Sequence, residues 1–246
     1  IGVGNATDGF EIGYQALGLE SGDEVIIPAN AHVSPALAAL KVGLKPVFCD
    51  VDEQRMLLNA ETVSAQISEK TKAIVAVHLY GHVCPMQDLK ALCAEKGLFL
   101  IEDFSQAHGA SFIGQKVGSF GDLNVCSFYP TKPLGALGDG GAILTSDAQL
   151  AERCRAFANY GWKERDNASL LGRNSRLDEL QAAVLNVKLL HFEKWNAQRL
   201  QTAKHLSVVL MGLKGNDIPN FQEGDVCRLF VIRTEKRGEL KVALIK

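Results

Sequence analysis

The stretch AIVAVHLYGHVCPMQDLKALCAEKGLFLIE, residues 73–102, decides the fold of this 246-residue chain. Its first part, residues 73–79, is apolar apart from His78, which is typical of a strand buried on both faces of a parallel sheet. Residues 86–96 then have helical spacing and stop at Gly97, a residue that suits the end of a helix. Residues 98–102 form a second apolar run, so the order strand, helix, strand predicts a βαβ unit.

The alternation of strands and helices continues on both sides of this unit. Toward the N-terminus we predict strands at residues 24–28 and 46–51 and helices at residues 8–17, 32–42 and 59–68. Toward the C-terminus we predict strands at residues 123–128 and 142–146, a helix at 148–158 and a polar loop at 159–175. The alternation predicts an α/β domain with a mostly parallel sheet, which binds its ligands at the carboxyl ends of the strands.

The C-terminal part of the sequence departs from this alternation. Residues 177–213 have the pattern of one long helix, and residues 229–233 predict the first strand of a second domain. We therefore expect a large domain at residues 1–190 and a linking helix with an incomplete smaller domain at residues 191–246. Because the chain begins without Met and ends within a helical pattern, we expect a fragment that lacks residues at both ends.

Composition argues against several classes of function. The 26 Lys and Arg residues are balanced by 28 Asp and Glu residues, and no basic run suggests a nucleic-acid partner. No apolar stretch approaches the roughly 20 residues that span a bilayer, so we expect no membrane partner. The six cysteines lie mostly in apolar runs and form no CxxC pair, which indicates reduced thiols in a cytoplasmic protein.

The most informative chemistry lies in SFYPTKPLGALGDGG, residues 127–141. A predicted strand ends there, Lys132 follows in a turn, and a glycine-rich segment leads to the next strand. A lysine held among apolar groups has a lowered pKa, because burial disfavours its charged form, and its neutral amine can form a Schiff base. A surface lysine in a glycine-rich hairpin is the alternative.

Asp103 follows the second apolar run of the βαβ unit, in the stretch IEDFSQAHG at residues 101–109. A buried carboxylate is costly unless it is paired, and a protonated pyridine nitrogen would be a suitable partner. Strand alternation turns the neighbouring Glu102 to the other face of the sheet. An Asp that caps a turn at the strand end is the alternative.

The first predicted helix begins in GNATDG, residues 4–9. Free backbone N–H groups at a helix N-terminus bind phosphate, and Thr7 adds a hydroxyl group. The charge of Asp8 would oppose a phosphate unless its side chain turns away. An ordinary helix cap is the alternative, and the spacing of a dinucleotide fingerprint is absent.

Together and in this order, these segments resemble the sugar aminotransferases of the DegT/DnrJ/StrS type, which depend on pyridoxal 5'-phosphate (PLP). The resemblance runs from Gly4 to about Trp195 and implies PLP transferase fold type I, a three-layer α/β/α fold with a mostly parallel mixed sheet. The stretches that carry it are GDEVIIPAN at 22–30, HLYGH at 78–82, IEDFSQAHGA at 101–110, KVGSFGDLNVCSFYPTKPLGALGDGGAI at 116–143 and GRNSRLDELQAAVLNVKL at 172–189.

The resemblance also implies a role for each residue of the site. Lys132 would bind the cofactor covalently and act as general base and acid, while Asp103 would pair with the pyridine nitrogen. Gln106 would lie near the phenolic oxygen of the ring. The cofactor phosphate would be bound by Ala6, Thr7, Ser127 and, across a homodimer with shared active sites, Asn174 of the neighbouring subunit.

Two positions depart from the family pattern. His32 stands where many relatives carry a Phe or Tyr stacked on the cofactor ring, and we expect its imidazole to stack in the same way. Ala6 stands where Gly or Ser is usual, which is tolerable if its φ is not positive. The spacing of His78, His82 and Cys84 suggests a metal site, but no fourth ligand is evident and we expect no metal.

Lysine at position 132 favours amino transfer, because the sugar dehydratases that resemble this chain carry His there. We expect transfer from L-glutamate to a nucleotide-linked keto-sugar of the dTDP-3-keto-6-deoxyhexose type, for amino-sugar or polysaccharide (O-antigen) biosynthesis. One alternative is a PLP-dependent aminotransferase of another ketone, either a C4 keto-sugar or a cyclitol. Another is a PLP-binding regulator or fragment without catalytic activity.

Overall fold

The computed structural model describes residues 1–164, 166–212 and 215–245. Its strands are β1 (Gly2–Val3), β2 (Glu24–Pro28), β3 (Lys45–Cys49), β4 (Thr71–Val77), β5 (Phe99–Asp103), β6 (Ser111–Phe112), β7 (Gln115–Lys116), β8 (Leu123–Ser127), β9 (Gly141–Leu144), β10 (Trp162–Glu164), β11 (Asn167–Ala168), β12 (Asn216–Asp217) and β13 (Arg233–Thr234). Its α-helices are α1 (Ala6–Leu17), α2 (Ser34–Lys41), α3 (Ala60–Ser64), α4 (Met86–Lys96), α5 (Ala148–Ala158), α6 (Glu179–Leu210) and α7 (Arg237–Ile245). Within the described ranges, every helix is too short or too polar to span a bilayer.

The central sheet joins seven of the described strands in the order β1-β9-β8-β5-β4-β2-β3. The strands from β8 to β3 run parallel, whereas β9 is antiparallel to both β8 and β1. Strands β2 and β8 are buried along their whole length, as a sheet covered on both faces requires. The mostly parallel mixed sheet of the sequence prediction is confirmed.

The register of the sheet brings three strand ends together. Asp103, the last residue of β5, pairs with Val77 at the end of β4 and with Val125 near the end of β8. Carboxyl ends of neighbouring parallel strands therefore meet at one edge, where ligands bind in folds of this class.

The helices fall into two groups that cover the sheet. Helix α1 contacts both α2 and α5, and α3 contacts α4. Helix α1 lies close to the sheet, because a Cβ atom added at Gly9 or Gly13 would come within 2.9 Å of Val125 or 2.8 Å of Leu123. This close approach places the N-terminus of α1 beside the end of β8.

Local sequence signals account for most element boundaries. Strand β2 and helices α4 and α5 occupy the predicted residues. Helix α4 ends at Gly97, which has the left-handed conformation (φ 66°) that glycine adopts without strain. Helix α3 begins after Asn59, whose side chain accepts a hydrogen bond from the Thr62 N–H in a reciprocal cap.

The predicted strand at residues 229–233 is wrong, because only Arg233 of that range lies in a strand. The preceding segment pairs instead with the turn that follows β4. There the Arg228 N–H donates to the Tyr80 carbonyl at 2.8 Å, and the Val226 N–H donates to the Gly81 carbonyl at 3.0 Å. The backbone partners of this segment are therefore in a turn rather than in a neighbouring strand.

The long helix predicted at residues 177–213 is observed as α6, which spans 32 residues and ends at Leu210. Leu213 lies outside the described residues. The loop predicted at residues 159–175 contains the small hairpin of β10 and β11.

Candidate active site

A cleft of about 380 Å³ opens at the carboxyl ends of β4, β5 and β8. The N-terminus of α1 and the turn after β8 form its other walls. Every residue predicted for the cofactor site within one subunit lines this cleft. The lining residues are Asn5, Ala6, Thr7, His32, Ser34, Val77, Asp103, Ser105, Gln106, Ser127, Tyr129, Thr131, Lys132 and Asp139.

The carboxylate of Asp103 is buried in the cleft with a single neutral partner. Only 8% of Asp103 is exposed, and its Oδ1 atom accepts a hydrogen bond from the Ser105 N–H at 3.0 Å. No Lys, Arg or His of the described residues lies within ion-pair distance of this carboxylate. Since a buried charge is costly without a counterion, Asp103 has the capacity to bind a cationic group in the cleft.

Lys132 is half-buried in the turn that follows β8, and its backbone N–H donates to the Tyr129 carbonyl at 2.8 Å. Burial lowers the pKa of the Lys132 amine. The carboxylate of Asp103 acts in the opposite direction, and the charge of Arg228 adds to the lowering of this pKa. A larger fraction of the amine is therefore neutral, and able to act as a nucleophile or a base, than for a free lysine.

Gln106 is oriented by the turn after β4. The Tyr80 N–H donates to the Oε1 atom of Gln106 at 2.9 Å. Because a backbone N–H can only donate, the contacting atom is the amide oxygen, and the NH₂ group of Gln106 remains free to donate to a ligand oxygen. Tyr80 makes this contact from a left-handed conformation (φ 63°), which is strained for a residue with a side chain.

The N-terminus of α1 presents backbone donors to the cleft. Asn5 caps the helix, and its Oδ1 atom accepts the Asp8 N–H at 2.8 Å. The N–H groups of Ala6 and Thr7 have no acceptor within the described ranges, so they and the helix dipole can bind an anion.

Ser127 completes this anion-binding end of the cleft. Its N–H donates to the Ser105 Oγ at 2.9 Å, and its own Oγ accepts the Tyr129 N–H at 3.1 Å. The hydroxyl proton of Ser127 is therefore left to donate to a ligand oxygen.

The carboxylate of Asp8 is turned away from the cleft and neutralised. Arg173 pairs with its Oδ1 at 2.9 Å, and the Ser175 hydroxyl donates to its Oδ2 at 2.6 Å. Arg173 also pairs with the buried carboxylate of Glu11. The negative charge that would oppose a phosphate at this helix terminus is therefore compensated.

Two predicted residues lie at the periphery. His32 is exposed at the mouth of the cleft, where its Nδ1 atom contacts the Ser34 hydroxyl at 2.6 Å. Asn174 is exposed outside the cleft, and its Oδ1 accepts a hydrogen bond from the Arg176 Nε at 2.9 Å. The structure therefore brings His32 to the other site residues but leaves Asn174 apart from them.

Several residues of the cleft wall were not predicted from the sequence. Tyr129 and Thr131 precede Lys132 by three residues and one residue, and Ser105 lies two residues after Asp103. Proximity along the chain to a predicted site residue was therefore the available signal. Asp139 lies farther along the same stretch, and no local signal marked it.

Glu102 and His78 form a buried pair on the side of β5 opposite to Asp103. The His78 Nε2–H donates to the Glu102 Oε2 at 3.0 Å, because its Nδ1 accepts the Cys84 N–H. Burial raises the pKa of Glu102, but the hydrogen bond from His78, together with backbone donors, outweighs the effect of burial and lowers this pKa. His78 and His82 contact different acids, Glu102 and Asp225, rather than a common point.

His108 is packed among aromatic rings next to the cleft wall. Its ring lies 5.7 Å from that of Phe128 and 5.8 Å from that of Phe104. Burial, with a smaller contribution from the charges of Lys132 and Arg199, lowers the pKa of His108 to about 3. The imidazole is therefore neutral at neutral pH, and His108 is not among the residues that line the cleft.

These observations fit the cofactor that the sequence resemblance implies. Asp103 offers a buried carboxylate for a protonated ring nitrogen, and Gln106 offers an amide donor. The start of α1 and Ser127 offer donors for a phosphate, and the Lys132 amine lies in the same cleft. Each group has the hydrogen-bonding capacity that its part of the cofactor requires.

The whole chain, residues 1–246, matches the DegT/DnrJ/EryC1/StrS aminotransferase family. It is 40% identical over 243 residues to a dTDP-3-amino-3,4,6-trideoxy-alpha-D-glucose transaminase of Streptomyces venezuelae, covering 98% of this chain and 64% of that protein. It is 42% identical over 248 residues to a pleiotropic regulatory protein of Geobacillus stearothermophilus, covering 99% of this chain and 67% of that protein.

Among solved structures, that of NtdA from Bacillus subtilis with bound cofactor PMP superimposes with a TM-score of 0.91 at 31% identity, covering 98% of this chain and 56% of that one. The chain spans about two thirds of the length of the two curated relatives. With residues 1–246 all matched, the chain belongs to the DegT/DnrJ/EryC1/StrS aminotransferase family.

Proposed function

We propose that this chain is part of a PLP-dependent aminotransferase that moves an amino group from L-glutamate to a nucleotide-linked keto-sugar. The observation that carries the proposal is the meeting of Lys132 and Asp103 in one cleft at the strand ends. A lysine with a lowered pKa and a buried carboxylate without a counterion are the groups through which an enzyme holds and activates this cofactor.

The residues of the cleft divide the task of holding PLP. Lys132 binds it covalently through Nζ, Asp103 pairs with the ring nitrogen and Gln106 donates to the phenolic oxygen. The phosphate takes the free N–H groups of Ala6 and Thr7 and the Ser127 hydroxyl. The relative NtdA, whose structure contains the cofactor PMP, supports a cofactor of this type. Bound PLP supplies an electron sink that stabilises negative charge on the substrate carbon.

Lys132 has a second role, which is to move a proton. In its neutral form Nζ accepts a proton from the substrate carbon, and in its charged form it returns that proton to a neighbouring carbon. Desolvation in the half-buried turn favours the neutral form, while the carboxylate of Asp103 stabilises the charged form. The balance of the two opposing effects sets how readily the amine releases and takes up a proton.

The substrate class rests on the relatives. The Streptomyces venezuelae protein is named for a dTDP-linked 3-amino sugar, which supports a nucleotide-linked keto-sugar aminated at C3. The six buried, unpaired cysteines support a reducing compartment, and we place the reaction in the cytoplasm.

The attachment of the cofactor can be tested directly. The chain is incubated with PLP, reduced with borohydride and digested, and the modified peptide is identified by mass spectrometry. We expect the reduced cofactor on Lys132. Lys116, an exposed lysine that donates to the Gly109 carbonyl, serves as an internal control. Modification of Lys116 at a rate equal to that of Lys132 would contradict the proposed site.

Replacing the lysine should abolish the reaction. We expect Lys132→Ala to lower turnover by on the order of 10³-fold or more, because both the covalent anchor and the proton carrier are lost. Turnover is measured with L-glutamate and a dTDP-linked 3-keto-sugar. Lys116→Ala should retain the wild-type rate, and an active Lys132→Ala variant would refute the assignment.

A second candidate function is regulation without catalysis, because the relative from Geobacillus stearothermophilus is named as a regulatory protein. The visible absorbance of the PLP-loaded chain separates the two candidates. An aminotransferase changes its absorbance when L-glutamate is added and reverts when the keto-sugar follows. A binding protein without catalysis retains its spectrum.

A homodimer with shared active sites also belongs to this proposal. Asn174 is exposed and lies outside the cleft of its own subunit, so it is free to contribute to another. The nearby Leu171 is 88% exposed, an apolar side chain that an interface would cover.

A further inference from the structure

A second cleft, of about 450 Å³, lies between α6 and the segment that precedes β13. It shares no lining residue with the candidate active site. Two half-buried arginines, Arg199 and Arg228, stand in its wall. The remaining lining is formed by Trp195, Gln198, Thr202, Ala203, Leu206, Cys227 and Phe230.

Neither arginine has a carboxylate partner in the part of the chain that the structure describes. The Nε atoms of Arg199 and Arg228 are both buried without an acceptor. The one side-chain hydrogen bond of the pair runs from Arg199 to the Oδ1 atom of Asn196. A buried charged donor without an acceptor is destabilising, so the two guanidinium groups have unused capacity to bind an anion.

Both arginines are held in place by neighbouring groups. Asn196, which accepts from Arg199, donates through its own Nδ2 to the His108 carbonyl at 2.8 Å. The guanidinium of Arg199 lies 6.0 Å from the ring centre of Phe192. The backbone of Arg228 is fixed by its bond to the Tyr80 carbonyl. Because the Arg199 side chain and the Arg228 backbone are already positioned, binding requires less ordering than it would for two freely moving arginines.

We propose that Arg199 and Arg228 together bind an oxyanion, either a carboxylate or a phosphate group, of a small-molecule ligand. Each guanidinium presents a planar fork of N–H donors that matches two oxygen atoms of such a group. The apolar side chains of Trp195 and Phe230 in the same cleft can accommodate a less polar part of the ligand.

The electrostatics of the pair agree with this assignment. Burial lowers the pKa of Arg199, and the charge of Arg228 adds to this effect against an opposing effect of Cys227. An anion bound between the two guanidinium groups would offset their mutual repulsion. The same anion would also shield Lys132 from Arg228, whose charge contributes to its lowered pKa.

Calorimetric titration of the chain tests the site with four probes: inorganic phosphate, pyrophosphate, L-glutamate and 2-oxoglutarate. We expect at least one probe to bind the wild-type chain. Arg199→Gln and Arg228→Gln should each weaken that binding by about 10- to 100-fold, the loss expected when hydrogen bonds to a charged group are removed. Arg155→Gln, an exposed arginine on α5, makes the same charge change elsewhere and should bind like the wild type.

Two further variants distinguish this site from the first cleft and from a structural role. Thr7→Glu places a negative charge at the N-terminus of α1 and should leave binding to the arginine pair unchanged. Arg228→Lys keeps the charge but loses the fork, so we expect about tenfold weaker binding. Without ligand, Arg228→Gln should unfold at the same temperature as the wild type or higher, because a buried unpaired donor is removed.

The identity of the probe that binds assigns the oxyanion. Binding of phosphate and pyrophosphate alone indicates a phosphate ester, and binding of the two dicarboxylates alone indicates a carboxylate. The proposal is overturned if none of the probes binds at millimolar concentration. It is also overturned if Thr7→Glu, and neither arginine variant, abolishes the binding.

Discussion

Asp103 and Glu102 are adjacent acids on β5 with opposite surroundings. Glu102 accepts hydrogen bonds from His78 and from the backbone N–H groups of Gly118, Phe120 and Gly121. Asp103 accepts one bond, from its own turn. Glu102, whose oxygens accept these hydrogen bonds, holds the loop before β8 in place. Asp103, which can accept further hydrogen bonds, faces the cleft.

We predict that Glu102→Ala lowers the free energy of unfolding by about 3–5 kcal/mol, because it leaves the partners of a buried carboxylate unpaired. Urea denaturation at neutral pH measures the change. The matched control is Glu95→Ala, because the side chain of Glu95 is 67% exposed and pairs with the neighbouring Lys96. A loss at Glu102 no larger than the loss at Glu95 would contradict the structural role.

The effect of Glu102→Ala should depend on pH in a defined direction. Hydrogen bonds and the contact with His78 hold the pKa of Glu102 below its ordinary value of 4.5 in the folded chain, against the effect of burial. A depressed folded-state pKa contributes stability above the unfolded pKa, and that stability is lost as pH falls through the folded value. The difference between wild type and variant should therefore shrink below about pH 4, and a constant difference would argue against ionised Glu102.

The titration of Lys132 provides a second prediction at the residue scale. Since Asp103 raises the pKa of Lys132 and Arg228 lowers it, Asp103→Asn should move the titration to lower pH and Arg228→Gln to higher pH. The pH dependence of the rate at which an acetylating reagent modifies Lys132 measures both shifts. Shifts of the same sign in the two variants would show that charge does not govern this pKa.

At the scale of elements, the turn after β4 links the cleft to the C-terminal segment. The carboxylate of Asp225 is buried and pairs with Arg55 at 2.8 Å and with His82 at 3.1 Å. Hydrogen bonds from Val226 and Arg228 then fix the carbonyls of Gly81 and Tyr80. Because the Tyr80 N–H holds Gln106, this packing sets the direction of a side chain in the active site.

Gly81 is the tightest point of this contact. A Cβ atom there would lie 2.2 Å from the Val226 carbonyl oxygen, and the residue has φ 104°. Gly97 also has a positive φ but no heavy atom within 4 Å of its Cβ position. Gly97→Ala should therefore cost about 1 kcal/mol of unfolding free energy from backbone strain alone.

Gly81→Ala should cost at least about 2 kcal/mol more unfolding free energy than Gly97→Ala. The added Cβ atom must also push the backbone at residue 81 away from the Val226 carbonyl. Denaturant unfolding of both variants measures the difference. Susceptibility of residues 222–229 to proteolysis should rise only in Gly81→Ala. Equal losses in the two variants would indicate that the contact between the turn and the segment contributes little.

At the scale of the whole molecule, the predicted homodimer has a quantitative test. If Asn174 serves the neighbouring active site, a mixed dimer of Lys132→Ala and Asn174→Asp chains contains one intact site. That site combines Lys132 of the Asn174→Asp chain with Asn174 of the Lys132→Ala chain. Random mixing of the two inactive variants should restore about a quarter of the wild-type activity. No recovery from two inactive parents would place Asn174 in the chemistry of its own subunit, and an Asn174→Asp homodimer that is active by itself would place Asn174 outside the reaction.

The division into a large domain at residues 1–190 and a smaller one at residues 191–246 also stays a prediction at this scale. Helix α6 crosses the proposed boundary without a break. The segment before β13 packs against the turn after β4, which belongs to the large domain.

The sequence by itself determined the α/β architecture and the boundaries of elements such as β2, α4 and α5, and it marked part of the cleft, including Asp103 and Lys132. It could do so because those properties depend on local signals. Apolar runs, caps such as Asn59 and glycine stops such as Gly97 act within a few residues.

Only the tertiary structure decided which partners each charged group has. The pairing of Asp8 with Arg173 joins residues 165 positions apart, and that of Arg55 with Asp225 joins residues 170 apart. Among the described residues, the lack of an acceptor for the buried Nε atoms of Arg199 and Arg228 is equally a property of the folded surroundings. Electrostatic and hydrogen-bonding partners depend on distance in space, which the spacing of residues along the chain does not encode. For the same reason the sequence wrongly predicted a strand at residues 229–233, because the segment before β13 takes its backbone partners from the turn after β4.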